Sequence, residues 1–299
     1  MARVARVTSI TIAPLLTLGV LSAFVGTAAC DRRGSAASEA GAEARLVFEK
    51  DGKEMATLAL SELARDVPPE TFTAFDPYYN KKKTYRALPM RAVLERGFRG
   101  LGGELEAQDF VLRAKDGYTV PISGARLLEP GSYLAVADVD VPTWEPIGPQ
   151  QVSPAPFYVV WRGEKQQDLE THPRPWQLAV VAIARYDATF PHTVPTGEAP
   201  DSPAMRGLAT YRAVCIHCHA INREGGRVGP ELNVPQSIVE YRPEAQIRAY
   251  IKNPQTFRYG NMPAQSNLTE AQLDELVAYF RAMKDRKHDA DADGGSRPR

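Results

Sequence analysis

At 299 residues, 43% hydrophobic and 24% charged, the chain has enough material for one large or two modest globular domains. Lysine plus arginine and aspartate plus glutamate balance at 36 each, which excludes the strongly basic surface of a nucleic-acid binder. The cysteines are three, Cys30, Cys215 and Cys218, and each needs an account.

Arg3 and Arg6 precede an apolar run from Ile10 to Val25, interrupted by Pro14 and Gly19 and followed by small residues. Charge, length and cleavage chemistry predict a secretory signal over 1–29 rather than a stop-transfer helix. Thr27-Ala28-Ala29-Cys30 resembles the lipobox of bacterial lipoproteins, although Thr27 stands where that family usually has leucine. The resemblance implies lipidation of Cys30; ordinary cleavage near Ala29 or an uncleaved anchor are the alternatives. Asp31 resembles the inner-membrane retention signal of such lipoproteins. Acyl chains on Cys30 would anchor the protein, each buried methylene contributing about 0.8 kcal/mol. Residues 30–43, small and polar, read as a flexible tether.

Residues 44–192 read as an α+β domain with a mixed sheet. Two strands meet at Asp51-Gly52, and two more at Asp116-Gly117. Ser132–Asp140 and Pro156–Gly163 are further strand candidates, and Pro89 opens a short helix through Phe98. The run Lys81–Lys83 reads as a solvated face. His172 and His192 are too scattered to argue for a metal pair, and Trp144, Trp161 and Trp176 read as core or interface residues. No nucleophile–base or paired-carboxylate constellation emerges from spacing.

The segments Tyr85–Met90 and Asp116–Tyr118, with the strand after them, resemble the sulfite-oxidase-like molybdopterin-binding domain. Enzymes of that family hold molybdenum through a cysteine thiolate, and no cysteine lies between Cys30 and Cys215. The resemblance therefore implies a relative without molybdopterin, whose fold serves docking or positioning.

A proline-rich linker, 193–202, leads to a helix capped by Asp201 or Ser202 with Pro203 in its first turn. Near its end stands Cys215-Ile216-His217-Cys218-His219. Cys-x-x-Cys-His is the attachment pattern of c-type haem: two thiols at this spacing reach two vinyl groups of one porphyrin, and the adjacent histidine falls beneath the iron. Zinc would need a fourth ligand that the neighbourhood does not offer, and a redox-active pair would need a βαβ setting; both remain as alternatives. A further helix runs from Pro243 to before Pro254, and a closing helix starts at Thr269 with Gln272 as a capping box and an apolar stripe of Leu273, Leu276, Val277, Phe280 and Met283. His288 lies in a tail, 286–299, expected to be disordered.

The Cys-x-x-Cys-His site, Gly229-Pro230, Met262-Pro263 and the closing helix together resemble a class I c-type cytochrome domain over 203–285. The resemblance implies one covalent haem c, with Cys215 and Cys218 as thioether residues, His219 and Met262 as axial ligands, and Pro230 supporting His219. The expected architecture is a sulfite-oxidase-like α+β domain followed by an all-α class I cytochrome c domain. The expected function is a periplasmic electron carrier, tethered to the inner membrane by lipid or else soluble, serving other redox proteins or a membrane oxidoreductase. A molybdopterin-type enzyme feeding its own haem and a haem-based gas or redox sensor are the rivals.

Overall fold

The computed structural model describes residues 43–289, apart from 149, 258, 259 and 261. The expected signal, Cys30 and the expected tether up to residue 42 lie outside the described residues; Glu43 accepts the Ser61 N–H at 2.8 Å. Among those described, no helix is long and apolar enough to cross a membrane.

The N-terminal half is a mixed α/β assembly of two sheets. Its elements are β1 (Arg45–Lys50), β2 (Lys53–Ala59), α1 (Leu60–Asp66), β3 (Glu70–Asp76), β4 (Lys81–Pro89), α2 (Met90–Gly97), β5 (Asp109–Ala114), β6 (Thr119–Ser123), α3 (Gly124–Leu127), β7 (Ser132–Asp138), β8 (Tyr158–Trp161) and β9 (Leu178–Ile183). One sheet runs β2-β1-β9-β5-β6 and the other β3-β4-β7-β8. The expected hairpins form: Asp51 and Gly52 take φ of 50° and 76°, the left-handed pair that a two-residue turn matched to strand twist requires. β1 and β9 pair in parallel, the one parallel contact between described strands.

Strand β9 was not anticipated, because its apolar residues do not alternate. The sheet explains why. Phe110 and Leu112 of β5 and Val181 and Ile183 of β9 belong to the first core, with Leu46, Phe48, Val93 and Leu94. Val111 and Ala182, one residue along, belong to a second core built mostly from the C-terminal half. Successive side chains on a strand point to opposite faces, so a sheet covered on both sides needs apolar residues at both parities.

β3 and the start of β4 also escaped the sequence reading, and Lys81–Lys83 is not a uniformly solvated face. Lys83 is 1% exposed and binds Asp138 at 2.7 Å and Glu145 at 2.8 Å. Lys81 pairs with Glu145 at 2.7 Å, and Lys82 is exposed. Of the three lysines Lys83 alone is buried, and its burial is tolerated because the ammonium is surrounded by carboxylates.

The C-terminal half contains α4 (Tyr186–Thr189), α5 (Pro203–Thr210), β10 (Ala220–Ile221), β11 (Glu224–Gly225), α6 (Ile238–Tyr241), α7 (Glu244–Lys252) and α8 (Glu270–Lys284). It is helical except for the two-residue ladder β10–β11. Ser202 caps α5 by accepting the Met205 N–H at 3.3 Å, and Thr269 caps α8 in the expected box with Gln272. The linker and tail are more engaged than expected. Thr193 is fully buried and its carbonyl accepts the Tyr279 hydroxyl at 2.8 Å. Arg286 binds the Thr196 carbonyl at 2.9 Å and Glu198 at 3.2 Å, and His288 stacks on His192 at 3.7 Å.

Helices α5 and α8 cross at Gly207, where a Cβ would stand 2.0 Å from the Glu275 carbonyl oxygen and 2.7 Å from Tyr279 Cβ. Gly207→Ala must push the helices apart, and is expected to destabilise the full chain by about 1–3 kcal/mol, the usual cost of overpacking, read as a lowered midpoint in thermal or denaturant unfolding. An unchanged midpoint would mean that this crossing does not hold the half together.

Candidate functional site

The site is assembled from the end of α5 onward. After Thr210 the backbone opens into one wide turn, Tyr211–Cys215, of the i to i+5 type that often marks functional positions. The Cys215 carbonyl then accepts the N–H groups of Cys218 at 3.1 Å and His219 at 2.9 Å, which folds the motif into a compact loop. Tyr211, fully buried beside Tyr279 of α8 at 5.2 Å between ring centroids, donates its hydroxyl to the His219 carbonyl at 2.9 Å. The helix crossing thus reaches the histidine through two tyrosines.

The glycine-rich segment that follows wraps back over the motif. Gly226 N–H donates to the Ile216 carbonyl at 2.8 Å and Gly229 N–H to the Cys218 carbonyl at 2.7 Å. A Cβ at 226 would lie 2.2 Å from the His217 carbonyl oxygen, and one at 229 would lie 2.5 Å from His219 Cε1 and 2.9 Å from its Nε2. Beside Gly229, His219 Nδ1 donates to the Pro230 carbonyl at 2.8 Å. Donation at Nδ1 leaves the Nε2 lone pair free, and orients the ring as metal-binding imidazoles are oriented. Burial lowers the His219 pKa, which keeps the ring neutral; the Pro230 carbonyl and Glu231 oppose that shift. Pro230 therefore acts on His219 through its carbonyl.

Cys215 and Cys218 are free thiols. Burial pushes Cys215 up to about 12 and Cys218 to about 11, with the Cys218 and Asp116 charges as the respective smaller causes. Thiols so strongly held neutral are poor redox-exchange nucleophiles. The zinc alternative also lacks donors: among the described residues no three His, Cys, Asp or Glu side chains are grouped to hold a metal ion. Met262 is half-buried and packs with Cys215 against the second core, alongside residues of α5, α7 and α8. Free thiols, an imidazole with an open Nε2, a glycine cleared for the ring and a thioether on the same core are a donor set that fits haem c.

His172 and His192 are not brought together as ligands. His172 lies 3.0 Å from Arg126 and 3.2 Å from Glu129 through Nε2, edge-on to Trp161. His192 lies 2.6 Å from Glu224.

Sequence reasoning missed Glu231. Its Oε1 accepts the N–H groups of Asn222, Asn233 and Val234 at 2.9, 2.8 and 3.2 Å, and Oε2 accepts that of Arg223 at 2.8 Å. This carboxylate ties the β10–β11 turn, where Asn222 and Arg223 take left-handed φ of 56° and 66°, to the segment after Pro230. Its position directly after Gly-Pro was the available signal.

Comparison with known proteins agrees with this geometry. Residues 202–280 match the family model described as cytochrome c oxidase, cbb3-type, subunit III. The chain is also 35% identical over 77 residues to cytochrome c oxidase subunit 2 of Alkalihalophilus pseudofirmus, covering 23% of this chain and 22% of that protein. The match thus spans about a fifth of the relative's length. The C-terminal half carries a c-type cytochrome domain, and such a domain implies haem c and electron transfer.

Gly229→Ala should leave the helical framework intact but displace the His219 ring. The yield of haem-bearing protein, read by pyridine haemochrome against total protein, is expected to fall by about tenfold or more, the scale on which orienting contacts around a metal ligand act. Full haem loading in this variant would mean that the ring is held by other contacts.

Proposed function

We propose that the chain is an electron-transfer protein of the periplasmic side of the bacterial inner membrane, anchored through Cys30 and carrying one haem c. Cys215 and Cys218 would form the thioethers, and His219 and Met262 would ligate the iron. The observation that carries this reading is the His219–Pro230 hydrogen bond, which presents Nε2 beside a glycine cleared of side chain. Bound haem supplies one-electron exchange between ferrous and ferric iron. The protein holds a neutral imidazole in place, keeps the half-buried thiols in a compact loop and offers a thioether on the same core. A methionine opposite histidine favours the reduced state and fills the position at which a substrate would bind.

The N-terminal domain is assigned a docking and positioning role. Its resemblance to the sulfite-oxidase-like fold brings no molybdenum ligand, because no cysteine lies between Cys30 and Cys215. The residues present do not fit the metal of that family. The names of the matched proteins, both subunits of cytochrome c oxidases, favour a membrane oxidoreductase or another redox protein as partner.

Two measurements test the proposal. Met262→Ala should lower the reduction potential by more than about 59 mV, a tenfold change in the one-electron equilibrium, and should let the reduced protein bind carbon monoxide. A parental potential and spectrum would remove Met262 from the ligand set. Metal analysis of residues 31–299, produced with haem-attachment machinery and supplied with molybdenum, should give one iron and no molybdenum per chain; stoichiometric molybdenum would make the protein an enzyme with a built-in electron acceptor.

A further inference from the structure

One turn of the N-terminal domain is hydrogen-bonded to the haem-binding loop. Between β5 and β6, Asp116 Oδ1 accepts the Tyr118 N–H at 2.9 Å and Gly117 takes φ of +89°. Contacts from the Cys-x-x-Cys-His loop and the glycine-rich segment converge there. Thr119 N–H donates to the His217 carbonyl at 3.0 Å, and Arg227 N–H donates to the Gly117 carbonyl at 3.1 Å. The Tyr118 ring lies 5.6 Å from the His217 imidazole. The approach is close enough that a Cβ at Gly117 would stand 2.9 Å from Arg227 Cβ. His217, between the two cysteines, is 8% exposed and lies against the other domain. Tyr78 packs edge-on against Trp176 at 5.0 Å, and Tyr78, Tyr118 and Asp116 all lie within electrostatic range of Cys218.

We infer that the Asp116–Thr119 turn is a wall of the haem site on its Cys218 side, through which the N-terminal domain sets the reduction potential. The inference rests on the carrier reading above. Two opposed effects follow from elementary electrostatics. Ferric haem carries one more positive charge than ferrous. Tyr118, Tyr78 and His217 displace water from the Cys218 side, which disfavours the extra charge and raises the potential. The Asp116 carboxylate favours that charge and lowers it, through a field that salt screens. Asp116 and Tyr118 are positioning and tuning residues; neither is assigned contact with the iron.

The opposed signs make the test specific. In the full haem-loaded chain at low ionic strength, Asp116→Asn keeps the Oδ1 acceptor of the turn and removes only the charge. It should raise the potential, shifting the reduced-to-oxidised ratio at fixed ambient potential by roughly three- to tenfold, and the shift should shrink as salt is added. Tyr118→Ala should lower the potential by admitting water. A purely structural turn would alter the melting temperature without moving the two potentials in opposite directions. An Asp116→Asn potential equal to the parent's overturns the inference, and this variant decides alone should Tyr118→Ala not fold. Parental protein without a haemochrome spectrum would instead overturn the carrier reading.

Discussion

At Gly207, helix α5 approaches α8 so closely that only hydrogen fits between the backbones, and the placement of the site follows from that approach. It sets Tyr279 of α8 beside Tyr211 at the end of α5, and Tyr211 holds the His219 carbonyl. Tyr279 also bonds the Thr193 carbonyl, so the same helix fixes the segment that joins the two halves. A side chain at position 207 would separate the helices and move the two tyrosines that link their crossing to the His219 backbone.

The second constraint is the double covering of the sheet. β5 and β9 present Phe110, Leu112, Val181 and Ile183 to one core and Val111 and Ala182 to the other. The second core also takes in Tyr186 and Phe190 with Leu208, Tyr211, Ile216 and Tyr279. The cytochrome domain is therefore packed on a sheet face, with the 193–202 linker pinned along it by Thr193 and by Arg286. Such packing makes the relative placement of haem loop and N-terminal domain a property of the fold, which is why a β-turn of one half can lie against the motif of the other.

The cytochrome half was legible because its signals are local. Cys-x-x-Cys-His, Gly-Pro, two capping residues and an apolar stripe each sit within a few positions of one another, and all fall on the elements they suggested. The hairpins at Asp51-Gly52 and Asp116-Gly117 were legible for the same reason, since a turn residue pair between strands carries its own geometry. What escaped was non-local. β9 looks like a featureless apolar run because both its faces are covered. Lys83 looks solvated because Asp138 and Glu145, which saturate it, lie far along the chain. Glu231 looks like one more surface carboxylate until the β10–β11 turn brings two N–H groups to it, beside the two from Asn233 and Val234. The reading of 286–299 as a free tail failed at its start because Arg286 finds its partners in the linker.

The buried charges of the N-terminal half bear on its role. Asp76, fully buried, accepts the hydroxyls of Tyr85 and Tyr158 at 2.9 Å each and the Tyr78 N–H at 3.0 Å, with Arg174 at 3.5 Å. Arg174 donates onward to the Trp161 and Gln166 carbonyls at 3.1 and 3.3 Å, and Lys83 is held by its own carboxylates. Active sites strain such groups by leaving them poised toward a substrate; these are turned toward one another, which offsets most of the cost of burial, although Arg174 Nε is buried without a partner. The turn at Asp116–Thr119 is where hydrogen bonds join the N-terminal half to the Cys215–His219 loop and to the glycine-rich segment after it.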